Sequence, residues 1–161
     1  MSSGKSLQPT KYAEHRYNIT APIDFDVAMN YGGALMAIAG ADGELAEKEF
    51  QWYIDEQELL MVDPAEYIEA LRKFDWKNAN IEELLNGIKY DFSINFCRTM
   101  LYQAIKMSRA DGTYQEKEKA AVAKAAEFLG IERSMVVSIE SLAEMEEASE
   151  RLRLALFETE V

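Results

Sequence analysis

A nine-residue segment occurs twice in the chain, and it constrains the fold more than any other sequence feature. The copies are ADGELAEKE at 41–49 and ADGTYQEKE at 110–118, identical at six of nine positions and 69 residues apart. An apolar helical stretch precedes each copy, and an amphipathic helical pattern follows it. This internal similarity predicts two related helix-loop-helix units, with further helices inserted between them and added after them.

The rest of the chain also has a helical pattern. It contains only three prolines among 161 residues, and it has no runs in which β-branched and polar residues alternate. We therefore expect no sheet, and an all-α, compact single-domain bundle of about seven or eight helices. Two segments are apolar around most of their circumference, which is typical of helices at the centre of a bundle. These central helices are predicted at 25–40 and 93–109.

Capping signals predict where several surface helices begin. Asp63 before a proline predicts a helix over 64–74 with the aspartate as its N-cap. Asn80, with a glutamate three residues later, predicts a short helix after it. Ser141, again followed by a glutamate at the third position, predicts the start of a carboxyl-terminal helix. The apolar side of this last helix, expected to face the core, comprises Leu142, Met145, Leu152 and Leu156.

The first twenty residues differ from the rest because they show no apolar period and carry three basic residues against one acidic residue. We predict that residues 1–20 form a mobile or loosely docked tail, and that residues 21–158 form the helical domain. No segment has the pattern of a secretory signal or of a membrane span. The chain is therefore expected to be cytoplasmic, without stable membrane insertion.

Charge and composition exclude several classes of function. The formal net charge of −12 repels phosphate backbones, so nucleic-acid binding is not expected. With one cysteine, Cys97, and one histidine, His15, the chain cannot assemble a zinc cluster or the Glu-x-x-His pairs of a di-iron enzyme. A carboxylate pair could perform acid–base chemistry, but no nucleophile or electrophile-stabilising group can be identified beside it, so we expect no enzymatic activity. Residues 41–70 carry ten acids against one lysine, which would attract a cation or a protein with a basic surface.

The repeated loops resemble the second half of a calcium-binding EF-hand loop, where an Asp-Gly pair precedes a glutamate seven residues after the aspartate. The first half is not matched, because Ile38 and Met107 stand where the first oxygen ligand belongs. Neither loop can therefore bind an ion alone, and a site would have to be shared between them. Such hard oxygen ligands suit Ca²⁺ or Mg²⁺. The four carboxylates of a shared site would be Asp42, Glu49, Asp111 and Glu118.

The same residues also have a purely structural interpretation. The aspartates can form Asx-turns, the glycine after each can stop the preceding helix, and the glutamates can cap the next helix at its third position. Every repeated residue then has a mechanical role. Capping and cation binding do not exclude each other, and both remain open.

The doubled motif, with KAAVAKAAEFLGI after its second copy, resembles the TerB-like family associated with tellurite resistance. The resemblance extends over residues 24–139. It implies a compact all-helical domain without established catalytic activity, acting in bacterial tellurite and chemical-stress responses, with acidic residues proposed to coordinate a divalent metal. The residues that match the family's motif are Asp42, Glu49, Asp111 and Glu118, with Glu47 and Glu116 as weaker candidates.

The chain departs from the family's pattern at two places. Ala46 and Gln115 stand where family members often have a capping Ser, Thr or Asp. Arg109 lies two residues before Asp111, where its charge would offset an ion if the side chain turned inward.

Two functions follow from the sequence. The first is a non-catalytic TerB-like stress-response protein that binds a divalent cation through its two acidic loops. The alternative is a helical protein–protein interaction module in which the loops are structural and an exposed acidic surface binds a partner.

Overall fold

The structure is a computed structural model that describes residues 4–89 and 94–158 of the chain. Eight helices lie within these residues, as expected for an all-α bundle. The helices are α1 (Lys11–Tyr17), α2 (Phe25–Ala39), α3 (Glu47–Leu60), α4 (Ala65–Arg72), α5 (Ile81–Lys89), α6 (Ile94–Arg109), α7 (Glu116–Leu129) and α8 (Arg133–Phe157). The predicted central helices at 25–40 and 93–109 correspond to α2 and α6, although residue 93 lies outside the described residues.

The two central helices are covered on several sides. Every residue from 31 to 40 is buried, and α2 packs against α4, α5, α6 and α7. In turn, α6 packs against α2, α3, α7 and α8. The second helix of each repeat unit therefore packs on the first helix of the other unit, α3 on α6 and α7 on α2. This exchange interlocks the two units.

The expectation of no sheet is wrong. Three short strands, β1 (Ser6–Pro9), β2 (Ile23–Asp24) and β3 (Met61–Val62), form an antiparallel sheet in the order β2-β1-β3. Leu7 pairs with Ile23, and Pro9 pairs with Met61. Strands of two to four residues are too short to produce a recognisable alternation of apolar and polar residues, and backbone pairing rather than side-chain pattern defines them.

Residues 1–20 are predicted to form a mobile or loosely docked tail, and the described part of this segment, residues 4–20, contacts the body. Its strand β1 lies at the middle of the sheet, and Leu7 and Ala13 are buried. The Thr10 hydroxyl caps α1 by accepting from the backbone N–H of Ala13, and it donates to the backbone oxygen of Leu59 at 2.7 Å. The helix is anchored by these bonds rather than by a long apolar stripe, which is why no apolar period marks it.

Two predicted helix starts are also wrong. Asp63 does not cap α4; it has a φ of 55°, and the N-cap is Pro64, which makes no side-chain capping bond. Ser141 lies inside α8, which begins eight residues earlier, at Arg133. By contrast Asn80 caps α5 as predicted, since its Oδ1 accepts from the backbone N–H of Glu83 at 3.2 Å.

The glycines of α2 give neighbouring side chains room to approach the helix. A Cβ added at Gly32 would lie 2.5 Å from the hydroxyl oxygen of Tyr67 and 2.7 Å from Cδ2 of Leu71. Both neighbouring residues are fully buried, and the Tyr67 hydroxyl donates to the backbone oxygen of Ala28 at 2.7 Å. Gly32 therefore lets α4 pack closely against α2.

Replacing Gly32 with alanine is expected to destabilise the fold by about 1–3 kcal/mol, because the added methyl overpacks a buried contact. Gly87→Ala in α5 is the matched control. There the added methyl meets only the end of the Asn30 side chain, at 3.1 Å, and helix propensity improves by up to about 1 kcal/mol. Chemical denaturation should show shifts of opposite sign for the two variants. Equal shifts would contradict close packing at Gly32.

Candidate functional site

The two repeated loops have the same backbone conformation. They connect α2 to α3 and α6 to α7, and Gly43 and Gly112 have φ values of 101° and 90°. The N–H of each glycine donates to the backbone oxygen three residues earlier, at 2.9 Å and 3.0 Å. The left-handed backbone explains the glycine in each copy, because L side chains rarely adopt it.

The aspartate of each loop forms an Asx-turn. Oδ1 of Asp42 accepts from the N–H of Glu44 at 3.1 Å. Oδ1 of Asp111 accepts from the N–H of Thr113 at 3.0 Å and from its hydroxyl at 2.9 Å. One oxygen of each aspartate is therefore used to shape its own loop.

The glutamate that ends each motif caps the following helix. Glu49 accepts from the backbone N–H of Ala46 at 2.8 Å, and Glu118 accepts from that of Gln115 at 2.9 Å, each through Oε1. Neither Ala46 nor Gln115 makes a side-chain bond to the helix in return. The capping role suggested for the two glutamates is thus present in the structure. Capping occupies only one carboxylate oxygen of each glutamate.

The second oxygens of the two glutamates create an unusual site. Both side chains are 1% exposed, and among the described residues Oε2 of each finds no hydrogen-bond donor. The two carboxyl groups lie within hydrogen-bonding range of each other. Two carboxylates can only accept, so this contact becomes favourable when a proton or a cation lies between them. We call Glu49 and Glu118 the buried carboxylate pair.

Burial is the main cause that raises the pKa of Glu49, to about 9, and the contact with Glu118 raises it further. Burial also raises the pKa of Glu118. The negative charge of Asp111 acts on both members of the pair, and that of Asp42 acts on Glu118. Burial and mutual repulsion therefore favour a protonated form of the pair over two charged carboxylates.

Only two of the four predicted metal ligands lie next to each other in the structure. Glu49 and Glu118 come together, while Asp42 and Asp111 are near enough for their charges to act on the pair. Within residues 4–89 and 94–158, no group of three or more His, Cys, Asp or Glu side chains is arranged to hold a metal ion. The weaker candidates Glu47 and Glu116 are exposed, and Glu116 forms an ion pair with Lys119 at 3.4 Å.

Arg109 does not turn toward the pair. Its guanidinium forms two hydrogen bonds to Glu147 of α8, at 2.7 Å and 3.0 Å, and it lies over the ring of Tyr114. This role of α8 leaves no trace in the sequence, since an arginine and a glutamate 38 positions apart give no local signal. The positive charge is consequently held between Glu147 of α8 and the Tyr114 ring of the second loop.

Among solved structures, the chain is similar to a tellurite resistance protein from Nostoc punctiforme. The two are 25% identical, with a TM-score of 0.71, and the match covers 92% of this chain and 91% of the other. The resemblance to the TerB-like family is confirmed. A scan of protein-family models and a search of curated proteins give no match. The TerB-like similarity covers nearly the whole chain, so both repeated loops belong to one shared architecture.

The raised pKa of Glu49 in the buried carboxylate pair predicts a pH-dependent stability. In the folded state Glu49 holds its proton up to about pH 9, whereas its ordinary pKa is 4.5. Its contribution to stability is therefore complete below about pH 4.5 and is lost as the pH rises toward 9. Glu49→Gln keeps an acceptor for the capping bond but cannot ionise.

In buffer with a chelator, the melting temperature of Glu49→Gln should rise relative to that of the unmodified chain between pH 5 and pH 9. Glu47→Gln, an exposed glutamate in the same helical turn, is the control and should follow the unmodified chain. If the curve for Glu49→Gln runs parallel to that of the unmodified chain, the pair does not hold the proton assigned to it.

Proposed function

We propose that this chain is a non-catalytic TerB-like stress-response protein that binds one divalent cation, Ca²⁺ or Mg²⁺, between its two repeated loops. The observation that carries the proposal is the buried carboxylate pair with an unpaired oxygen on each glutamate. Buried charged groups are costly unless they are paired or coordinate a metal. A cation between the two oxygens would satisfy both of them and neutralise the pair.

The chemistry of the surrounding residues supports a hard cation. The pair supplies two carboxylate oxygens, and Asp42 and Asp111 add negative charge from the two loops. The only histidine, His15, is in α1, and the only cysteine, Cys97, lies within α6. Since carboxylates without imidazole or thiolate are typical of Ca²⁺ and Mg²⁺ sites, a soft metal fits poorly.

The name of the similar structure links that protein to tellurite resistance. We extend this role to the present chain as part of the proposal, and we assign the cation a regulatory or structural task, without a catalytic step. None of the described helices combines the length and the apolar composition needed to span a bilayer.

Calorimetric titration with Ca²⁺, and separately with Mg²⁺, should give saturable heat with one ion per chain. The Glu49→Gln, Glu118→Gln double variant should lose this heat, because both unpaired oxygens lose their charge. The Asp42→Asn, Asp111→Asn variant should weaken binding by about tenfold or more, since asparagine preserves the Asx-turns but removes the charge. The control is Glu47→Gln with Glu116→Gln, which changes two exposed glutamates of the same motifs and should leave the heat unchanged.

Cation binding should also release a proton. Burial favours a protonated form of the pair, and an ion needs both carboxylates ionised, so each ion bound near pH 7 should displace up to one proton. Titrations in buffers of different ionisation enthalpy measure this number directly. Binding without proton release would place the ion elsewhere.

The alternative is the interaction module with structural loops, and the Asx-turns and capping bonds favour it. It predicts that neither cation changes the melting temperature, and that neutralising the acidic surface within residues 41–70 abolishes binding of a partner with a basic surface. A rise of several degrees with Ca²⁺ or Mg²⁺, lost in the Glu49→Gln, Glu118→Gln variant, would reject this alternative.

A further inference from the structure

The helix α8 has two apolar sides, and only one of them is covered by the body of the protein. Val136, Ile139 and Ala143 are buried against the bundle. At 3.6 residues per turn, a second side lies roughly 130° away around the helix axis. This outer stripe comprises Leu142 (48% exposed), Met145 (68%), Leu152 (61%) and Leu156 (63%).

These outer side chains contradict the expectation that they face the core. Their spacing of three, seven and four residues is that of the a and d positions of a heptad, with Ser149 at the one remaining position. A stripe of this kind is the contact surface of a two-stranded coiled coil. Exposed contiguous apolar patches on otherwise folded proteins mark interaction sites.

The second half of α8 extends away from the body. Every residue from 148 to 158 is exposed, including Leu154 at 52% and Phe157 at 73%. A helical segment of this length has little stability in water without tertiary contacts. The outer stripe therefore runs from the packed half of α8 onto a second half whose residues are exposed to solvent.

Charges beside the outer stripe select the partner and its direction. Glu146 and Arg153 flank the stripe on one side, whereas Ala148 and Ala155 flank it on the other. When two copies of a helix pair in antiparallel orientation, like flanks face each other. Glu146 of each copy then faces Arg153 of the other, and the small alanines allow the backbones to approach on the opposite side. A parallel pair would instead place Glu146 against Ser141 and Arg153 against Ala148, with no ion pair between the copies.

In the structure, contacts within the chain keep the charged groups of Glu146 and Arg153 beside the outer stripe. The Glu146 carboxylate accepts from the hydroxyl of Tyr102 at 2.7 Å and from Arg16 at 3.2 Å, which fixes it beside the stripe. Arg153 is exposed and pairs with Glu150 one turn earlier. Because the whole chain carries a net charge of −12, association of two copies needs complementary charges at the contact, and the antiparallel arrangement provides two such pairs.

We propose that the outer stripe of α8 binds the outer stripe of a second copy of this chain, forming an antiparallel two-helix homodimer centred near Ser149. This surface does not include the buried carboxylate pair, and the dimer does not depend on a cation.

Sedimentation equilibrium of the full chain, from micromolar to millimolar concentration, should show a monomer–dimer equilibrium. Leu152→Glu with Leu156→Glu should raise the dissociation constant at least about tenfold, since a charged side chain replaces an apolar one in each of these contacts. The residues are exposed in the monomer, so circular dichroism should show that the fold is retained. The control is Leu59→Glu with Val62→Glu, which changes two exposed apolar residues away from α8 and should leave association unchanged.

Disulfide trapping tests the orientation. The Met145→Cys and Leu156→Cys variants are mixed in equal amounts and oxidised, and the products are identified by mass. Antiparallel pairing brings position 145 of one chain beside position 156 of the other, so the mixed disulfide should dominate. The native Cys97 is buried and should not compete. A chain that stays monomeric at millimolar concentration, or one that gives mainly symmetric disulfides, would overturn the proposal.

Discussion

The buried helix α2 is the constraint on which the rest of the structure depends. Its residues from 31 to 40 are buried on every side, so other elements must cover its whole circumference. Its own repeat unit does not do this alone: α7 of the second unit packs on α2, while α3 of the first unit packs on α6. This exchange brings together the amino ends of α3 and α7, where Glu49 and Glu118 stand. Core packing thus positions the candidate site.

Helix capping explains the position of these glutamates but not their charge. Glutamine at the third position of a helix could accept the same bond from the backbone of Ala46 or Gln115, and it would avoid burying two acids against each other. The acids lower stability at neutral pH unless a proton or an ion joins them. A chain selected for stability alone would not need this arrangement, and that is the physical argument for a ligand at the pair.

The sequence was sufficient to predict the helical architecture, the two units and the position of both central helices, because a repeated motif and helices apolar all round leave local signals. The symmetry of the repeat also suggested, as one of two open interpretations, that the carboxylates of the two loops converge on a shared site, and this stays a prediction. The Asx-turns of Asp42 and Asp111 were foreseen as an alternative to ligation, and the structure shows them formed. The sequence could not predict the distance between the aspartates and the glutamates. This distance depends on how two loops that are far apart in the chain pack together.

The errors have a common physical origin, which is that local patterns do not identify the partner of a surface. The amino-terminal strand is held by backbone bonds to β2 and β3, and backbone pairing leaves little trace in side-chain pattern. The outer stripe of α8 has the same amphipathic spacing as a core-facing stripe, and spacing alone does not tell whether a helix buries its apolar side within one chain or between two.

The inner side of α8 links this helix to the candidate site. Glu147 on that side forms two hydrogen bonds to Arg109, which stands immediately before the second repeated loop. If this guanidinium were free to turn toward the loop, its positive charge would compete with a cation for the buried carboxylate pair. Because Glu147 binds the guanidinium through two hydrogen bonds, its negative charge offsets the positive charge of Arg109 beside the loop. The carboxyl-terminal helix therefore contributes to the electrostatics of the site without contributing a ligand.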